Sequence, residues 1–282
     1  MKISHVAILE NPVAGSGKSS YVAAFLQKEL TGRGVKFHIY KSQWPAVLDE
    51  FSDIWLIGGD GTINYFINHY PTCSKPLALF KSGTGNDFAW KLYGNSNLSE
   101  QFIRVFNSSP KPVDAGLLNE TLFMNCVGVG FDGEIIRSMG TIRFLGGHIG
   151  YVCAVLLKIL SFKEYHFKIQ AKEESWDDPF LLALIVNSSR AGGGFNIAPP
   201  ASINDGQLDM VLCRKLSVWN RLRYLPVIKR GNHLKLPFVI HRLGEQFELQ
   251  SSKEMAIQVD GELLYSTKIN ISIQPGKFLF RY

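Results

Sequence analysis

A chain of 282 residues has room for two domains or one large one, and 46% hydrophobic against 19% charged residues describes a globular protein with a sizeable core. The formal charge of +6 calls for an anionic partner: nucleotide, nucleic acid or acidic membrane surface. Cys73, Cys126, Cys153 and Cys213 are far apart, with no CxxC pair and no matching histidine spacing, which excludes a disulfide framework and a zinc site and predicts reduced thiols in a cytoplasmic protein.

The first strand is predicted at 5–9, after an apolar run too short for a signal peptide. It leads into Asn11-Pro12-Val13-Ala14-Gly15-Ser16-Gly17-Lys18-Ser19. This is not a Walker A loop. Such a loop needs glycine five positions before the Gly-Lys-Ser step, and Pro12 stands there, fixing φ and lacking an N–H. What remains is a small-residue turn at the start of a helix over 20–30, with Lys18 able to approach an anion. A strand at 35–40 and a helix at 46–51 after Pro45 follow.

The segment Asp53-Ile54-Trp55-Leu56-Ile57-Gly58-Gly59-Asp60-Gly61-Thr62 then reads as a strand apolar on both faces, ending in a sharp turn before a helix over 63–69. Such turns bring backbone N–H groups to the carboxyl end of a sheet, where phosphates bind, and glycine lets an anion approach closely. Asp60 is either a helix cap or a carboxylate that meets the phosphate through a metal ion. A fourth strand at 76–80 runs straight into Lys81-Ser82-Gly83-Thr84-Gly85-Asn86-Asp87, a second glycine-rich turn at the same edge. Strand–helix alternation of this kind predicts a doubly wound parallel sheet with helices on both faces.

From about Lys111 the pattern becomes β-rich. Strands are predicted at 113–117, 122–129, 166–170, 180–187, 208–213, 245–250, 255–259 and 268–274, with helices at about 150–160 and 217–230. The expected boundary divides a nucleotide domain, 1–112, from an antiparallel, sandwich-like domain, 113–274, with the final strand near 275–282 a candidate to return to the first. The longest apolar segments, 149–160 and 180–186, fall short of the ~18 residues of a membrane span. The helix near 150–160 is either core or part of a wall for a lipid tail.

Three segments together, Asn11-Pro12-x-x-Gly15, Gly58-Gly59-Asp60-Gly61-Thr62 and Gly83-Thr84-Gly85-Asn86-Asp87, resemble the diacylglycerol kinase catalytic domain, most of all its soluble bacterial lipid kinase branch. The likeness continues through Asn125-x-x-Gly128-x-Gly130-Phe131-Asp132, Gly193-Gly194, Pro199-x-Ala201-x-x-x-Asp205-Gly206-x-Leu208-Asp209 and Asp260-Gly261-Glu262. Gly-Gly-Asp-Gly alone is shared with NAD kinases. The resemblance implies an α/β nucleotide domain, a β-rich lipid domain, an active site in the cleft between them, and transfer of the ATP γ-phosphate to a lipid hydroxyl. It implies nucleotide contacts at Asn11, Ser42 (where the family usually has threonine), Gly58, Gly59, Asp60, Gly61, Thr62, Ile63, Asn64, Tyr65, Gly83, Thr84, Asn86 and Asp87. Glu262 sits where the family has its proton acceptor, though by itself it reads as a solvated hairpin acid. Asp205, with backbone oxygens near Ser202 and Gln207, matches a magnesium site, and Asp60 and Asp87 resemble acids of the Mg2+ and water network, Asp60 among the catalytic ones.

Between Asp209 and Glu245 there is no acid, and Arg214, Lys215, Arg221, Arg223, Lys229, Arg230, Lys235 and Arg242 alternate with Trp219, Leu222, Tyr224, Leu225 and Phe238. This is either an interfacial element for anionic lipid or a solvated basic helix packed by its apolar face. On the first reading, charge reversal at Arg221 and Arg223 weakens binding to anionic vesicles. The expected partners are therefore a lipid substrate and the inner face of an anionic membrane, with no nucleic acid, and unpaired strand edges leave a homodimer open. His233 is expected to be structural, near a helix end. The rival readings are a kinase of NAD or another soluble substrate, and a lipid-binding module without turnover.

Overall fold

Val6 to Glu10 are buried on both faces of strand β1 (His5–Glu10), as expected of a strand inside a parallel sheet. The computed structural model describes residues 2–12, 14–142 and 155–282. The chain divides into two compact units, Met1–Asp114 with Pro275–Tyr282, and Ala115–Gln274.

In the first unit a short 3-10 turn, Ala14–Gly17, leads from β1 into helix α1 (Lys18–Gly32). Strands β2 (Lys36–Lys41) and β3 (Asp53–Gly58) pair with β1 on either side, and β4 (Leu77–Lys81) pairs with β3, all parallel. The returning chain end places Phe280 beside Leu77, again parallel. The order is thus β2-β1-β3-β4 and then the final segment. Connections leave β1 and β3 in opposite directions, so the crevice at their carboxyl ends is where a doubly wound sheet takes its ligand. Helices α2 (Asp60–His69), α3 (Asp87–Tyr93) and α4 (Leu98–Asn107) complete the unit. Asn97 and Glu100 form a reciprocal capping box at the start of α4.

The returning segment is tied in by polar bonds as well as by packing. Buried Arg281 pairs with buried Asp53, and the Tyr93 hydroxyl donates to the Arg281 carbonyl at 3.1 Å. The helix expected at 46–51 is absent: Leu48 and Phe51 are buried, but a single turn bond, Phe51 N to Leu48 O at 3.2 Å, joins them. So short a segment closes too few i→i−4 bonds to offset helix nucleation.

Strand β5 (Pro110–Leu118) carries the chain into the second unit, where β6 (Thr121–Phe123) folds back on it. There follow β7 (Cys126–Gly130), α5 (Phe131–Ile142), a helix α6 over 155–161, β8 (Tyr165–Ala171), β9 (Glu174–Val186), β10 (Leu208–Arg214), α7 (Val218–Lys229), β11 (Val239–Gly244), β12 (Gln246–Val259) and β13 (Glu262–Arg281). The sheet runs β11-β10-β9-β7-β12-β13, and β8 pairs with both β9 and β12. Every pair is antiparallel. Alternate side chains of β8 are buried, and Phe167, Ile169, Phe180, Met210, Phe247 and Leu249 form the centre of one core layer.

Several expected strands change. The run at 122–129 is broken into β6 and β7, while 245–250 and 255–259 merge into β12 with a register shift between Gln250 and Met255. The strand expected at 268–274 is part of β13, and β9 begins at Glu174. Strand β11 and helices α3, α4 and α5 were not among the sequence expectations. Of the helix expected near 150–160, the part before 155 lies outside the described residues. None of Cys73, Cys126 and Cys213 forms a disulfide, and Cys153 lies outside the described residues. No helix among the described residues is long and apolar enough to cross a membrane.

Candidate active site

The end of β3 and the end of β4 meet. Ser82 N donates to Gly58 O at 2.9 Å, and a Cβ on Gly59 would lie 2.9 Å from the Gly83 Cα. A Cβ on Gly83 would lie 2.6 Å from the Gly59 Cα. Contacts that short do not occur between real atoms, so these two glycines permit two backbones to touch. This revises the sequence argument, in which glycine made room for an anion. At Gly61 the space is open instead, with nothing within 4 Å of an added Cβ.

Asp60 joins the two turns. The residue opens α2, yet its carboxylate accepts from Asp87 N at 3.1 Å and Phe88 N at 2.9 Å, the first N–H groups of α3. A carboxylate at a helix N-terminus is favoured by the helix dipole and satisfies donors that the helix cannot. Asp60 is therefore a cap, of the third helix in the unit rather than of its own.

The other expected nucleotide residues divide into groups. Asn11 is tied on both sides, its N–H to Ile57 O at 3.1 Å and its Nδ2 to Thr62 Oγ1 at 3.0 Å. The Asn86 side chain accepts from Gly83 N at 2.9 Å and donates to Gly83 O at 2.7 Å, so it closes its own turn with φ at +55°. Asp87, Ile63 and Asn64 are buried, while Thr84 is exposed at the tip of the second turn. Tyr65 is exposed on α2 and packs edge-on to Trp44, their ring centroids 5.2 Å apart. Ser42 is exposed just beyond β2, with φ at +65° and its N–H directed to Glu10 O at 3.5 Å. Residues following four strand ends, those of β1, β2, β3 and β4, thus gather at one edge of the first unit.

In the second unit Asp260 and Gly261 form a two-residue hairpin loop between β12 and β13, with φ of +47° and +94° and Val259 paired to Glu262. Two positive φ values define the mirror-image turn that suits strand twist, and Asp-Gly is a preferred sequence for it. The Asp260 carboxylate accepts from three successive backbone donors, Met124 N at 2.7 Å, Asn125 N at 2.9 Å and Cys126 N at 2.9 Å. This bonding occupies the gap between β6 and β7 and accounts for the break in the strand expected at 122–129. Gln258 accepts from Gly261 N at 2.9 Å and donates to Cys126 Sγ at 3.1 Å. Glu262, one residue past the loop, is exposed.

Asp132 had no assigned role in the sequence beyond its place in a motif. Its carboxylate lies over Gly128, where a Cβ would come within 1.9 Å of Oδ2. Burial pushes its pKa up to about 6, against the pull of a hydrogen bond with Gln258. The pattern Gly128-x-Gly130-x-Asp132 was the available signal.

The proposed metal loop is a turn closed by Gln207 N donating to Asp205 Oδ1 at 3.1 Å, while Ser202 Oγ donates to Asn204 Oδ1 at 2.8 Å. Asp205 is exposed, so its carboxylate is open to solvent. His233 is buried and bonds to Ile197 O at 2.9 Å through Nε2. Burial lowers its pKa, which suits a neutral structural ring. Arg221 is not a surface cation: it is buried, bonded to Leu216 O, Ile159 O and Phe162 O, and paired with Glu164 at 2.6 Å. Reversing its charge would disrupt packing rather than report on lipid binding, which corrects the expectation for that residue.

The chain thus joins an α/β unit with glycine turns at its switch point to an antiparallel β unit, and comparison with known proteins gives its class, a kinase acting on an alcohol acceptor. The diacylglycerol kinase catalytic domain model matches residues 5–118, and the YegS C-terminal NAD kinase beta sandwich-like domain model matches 125–280. The chain belongs to this family of bacterial lipid kinases. It is 27% identical to a diacylglycerol kinase of Bacillus subtilis over 241 residues, 84% of this chain and 77% of that one. It is 28% identical to a probable lipid kinase YegS-like of Shewanella frigidimarina over 243 residues, 83% of this chain and 78% of that one. Among solved structures, a putative diacylglycerol kinase from Bacillus anthracis superposes with TM-score 0.81 at 22% identity, covering 100% of this chain and 98% of that one. An NAD kinase from Archaeoglobus fulgidus in complex with ATP superposes with TM-score 0.54 at 11% identity, covering 99% and 93%.

Proposed function

We propose that this protein is an ATP-dependent lipid kinase that transfers the γ-phosphate to the hydroxyl of diacylglycerol or a related lipid alcohol. The observation that supports it most is the clasp of Asp60 on the start of α3, which holds the Gly58–Thr62 and Gly83–Asp87 segments together at the carboxyl ends of the parallel strands. Phosphoryl transfer asks a protein mainly to position its reactants and offset charge. Backbone N–H groups at Gly59–Gly61 and at the Thr84–Gly85 tip offer donors to phosphate oxygens, and Asn11 and Thr62 fix the approach. Ser42 and Tyr65 lie at the same edge for the nucleoside.

Glu262 accepts the proton of the attacking hydroxyl. Its exposure leaves the carboxylate unencumbered, and the hairpin pinned by Asp260 fixes its backbone. One carboxylate and neighbouring backbone oxygens suit a hard cation, so Asp205 with the main chain near Ser202 and Gln207 would hold Mg2+ and stiffen that loop. Near the phosphates Asp60 and Asp87 would act on Mg2+ through water, since the Asp60 oxygens are already bonded to α3. The ion supplies charge neutralisation there.

A transfer assay with labelled ATP, offering a panel of lipid alcohols and NAD side by side, separates this reading from that of a soluble-substrate kinase. The Glu262→Gln variant is expected to lose about 10²-fold or more in turnover, with nucleotide affinity and melting temperature unchanged. Full activity in that variant removes Glu262 as the proton acceptor.

A further inference from the structure

Helices α6 and α7 pack together in the second unit. Val155 and Ile159 of α6 and Val218, Leu222 and Leu225 of α7 all turn onto Ile135 and Phe131 of α5. Arg221 stitches the pair, bonding from α7 to the carbonyls of Ile159 and Phe162 at 3.0 Å each. With the inward stripes fixed on α5, the opposite stripes face outward together.

Those outward stripes are apolar where a solvated basic helix would be charged. Trp219 is 80% exposed, and Leu156, Leu157 and Leu160 are 45%, 55% and 64% exposed. Single exposed leucines are ordinary, but four large apolar side chains on two adjoining helices form a patch of the kind that marks an interaction surface. The surrounding charge is of one sign. Arg214, Arg221 and Arg242 have acidic partners elsewhere in the fold. Lys215, Arg223, Lys229, Arg230 and Lys235 are exposed and have no ion-pair partner among the described residues. Arg223 follows Trp219 by four residues and lies on its stripe. Behind the patch, the inner faces of the same helices line an apolar pocket walled by Ile159, Leu181, Leu225, Ile228, Phe238 and Val239.

We infer that the outward face of α6 and α7 docks on an anionic bilayer, Trp219 and the three leucines entering the headgroup boundary and Arg223 with its neighbouring cations meeting lipid phosphates. This inference rests on the lipid kinase reading for its purpose, but its physical content is binding alone.

The test compares three forms of the full chain: wild type, the double variant Leu157→Ser with Trp219→Ser, and Arg223→Glu. Each is sedimented with vesicles of phosphatidylglycerol and phosphatidylcholine, and with phosphatidylcholine alone. The double variant is expected to bind the mixed vesicles about tenfold or more weakly, and Arg223→Glu to lose affinity for the mixed vesicles only, an effect that high salt abolishes. Since all three side chains are exposed, melting temperatures should match wild type. Equal binding by wild type and the double variant overturns the inference, as does absence of wild-type binding. Turnover of a dispersed short-chain diacylglycerol keeps the two readings apart. A double variant that retains this turnover while losing vesicle binding supports docking, and a wild type that binds vesicles through this face but phosphorylates no lipid sinks the kinase reading alone.

Discussion

Asp60 opens α2 in the first unit, and Asp260 heads the β12–β13 hairpin in the second. Each stands beside glycine, and each accepts backbone N–H groups from a segment remote in sequence, 27 residues away for Asp60 to Asp87 and 135 for Asp260 to Asn125. They differ in what they hold. Asp60 takes two donors at the start of a short helix, where solvent and the helix dipole share the work. Asp260 takes three consecutive donors from Met124, Asn125 and Cys126, all three residues buried, which no water could readily replace. In the first unit the bonded acid is itself part of the candidate site. In the second it fixes a turn, and the acid two residues on, Glu262, the proposed proton acceptor, is exposed. Both acids thus serve by rigidity, and the number and burial of their donors set how much each contributes to stability.

The contrast should appear first as stability. Asp260→Ala leaves three buried donors without their acceptor, and about 3–5 kcal/mol of unfolding free energy should be lost, read from urea denaturation. Next comes Gly83→Ala, whose added Cβ would press on the Gly59 backbone; forcing the turns apart should cost about 1–3 kcal/mol and weaken nucleotide binding with it. Asp60→Ala should cost less, about 1–2 kcal/mol, as the loss of a helix cap. If Asp60→Ala proved as damaging to stability as Asp260→Ala, the distinction drawn from donor number and burial would fail.

The sequence carried the fold class because both its periods are explicit. Strand β3 is apolar on both faces and ends in glycine, as a buried parallel strand does, and the alternating β8 announces a half-covered antiparallel one. Helix α4, absent from the expectations, had its signal in the capping box Asn97-x-x-Glu100, since the reciprocal bonding needs nothing beyond three residues' spacing. Strand β11 was harder: Val239, Ile240 and Leu243 sit among His241 and Arg242 inside a basic interval, and only pairing with β10 makes them a strand. For the candidate site, the identity of the glycines and acids was legible, but the work of Asp60, Asn86 and Asp260 was not. Their partners are backbone N–H groups, which every residue owns, so no residue type marks where they lie.

Gly61 gives the smallest effect on stability and the sharpest separation of structure from function. It lies in the first turn of α2, its φ is not positive, and nothing stands within 4 Å of an added Cβ. Packing therefore gives no reason for glycine there, in contrast to Gly59 and Gly83, which touch. Alanine at this position has better helix propensity and fewer unfolded conformations to lose, so Gly61→Ala should raise stability by up to about 1 kcal/mol. If phosphate oxygens close on this turn, the same methyl group stands in their way, and ATP affinity and turnover should fall as the melting temperature rises. A variant that gains stability and keeps full ATP affinity would show that no anion approaches α2 at this point, and would move the phosphate contacts to the Thr84–Gly85 tip of the second turn.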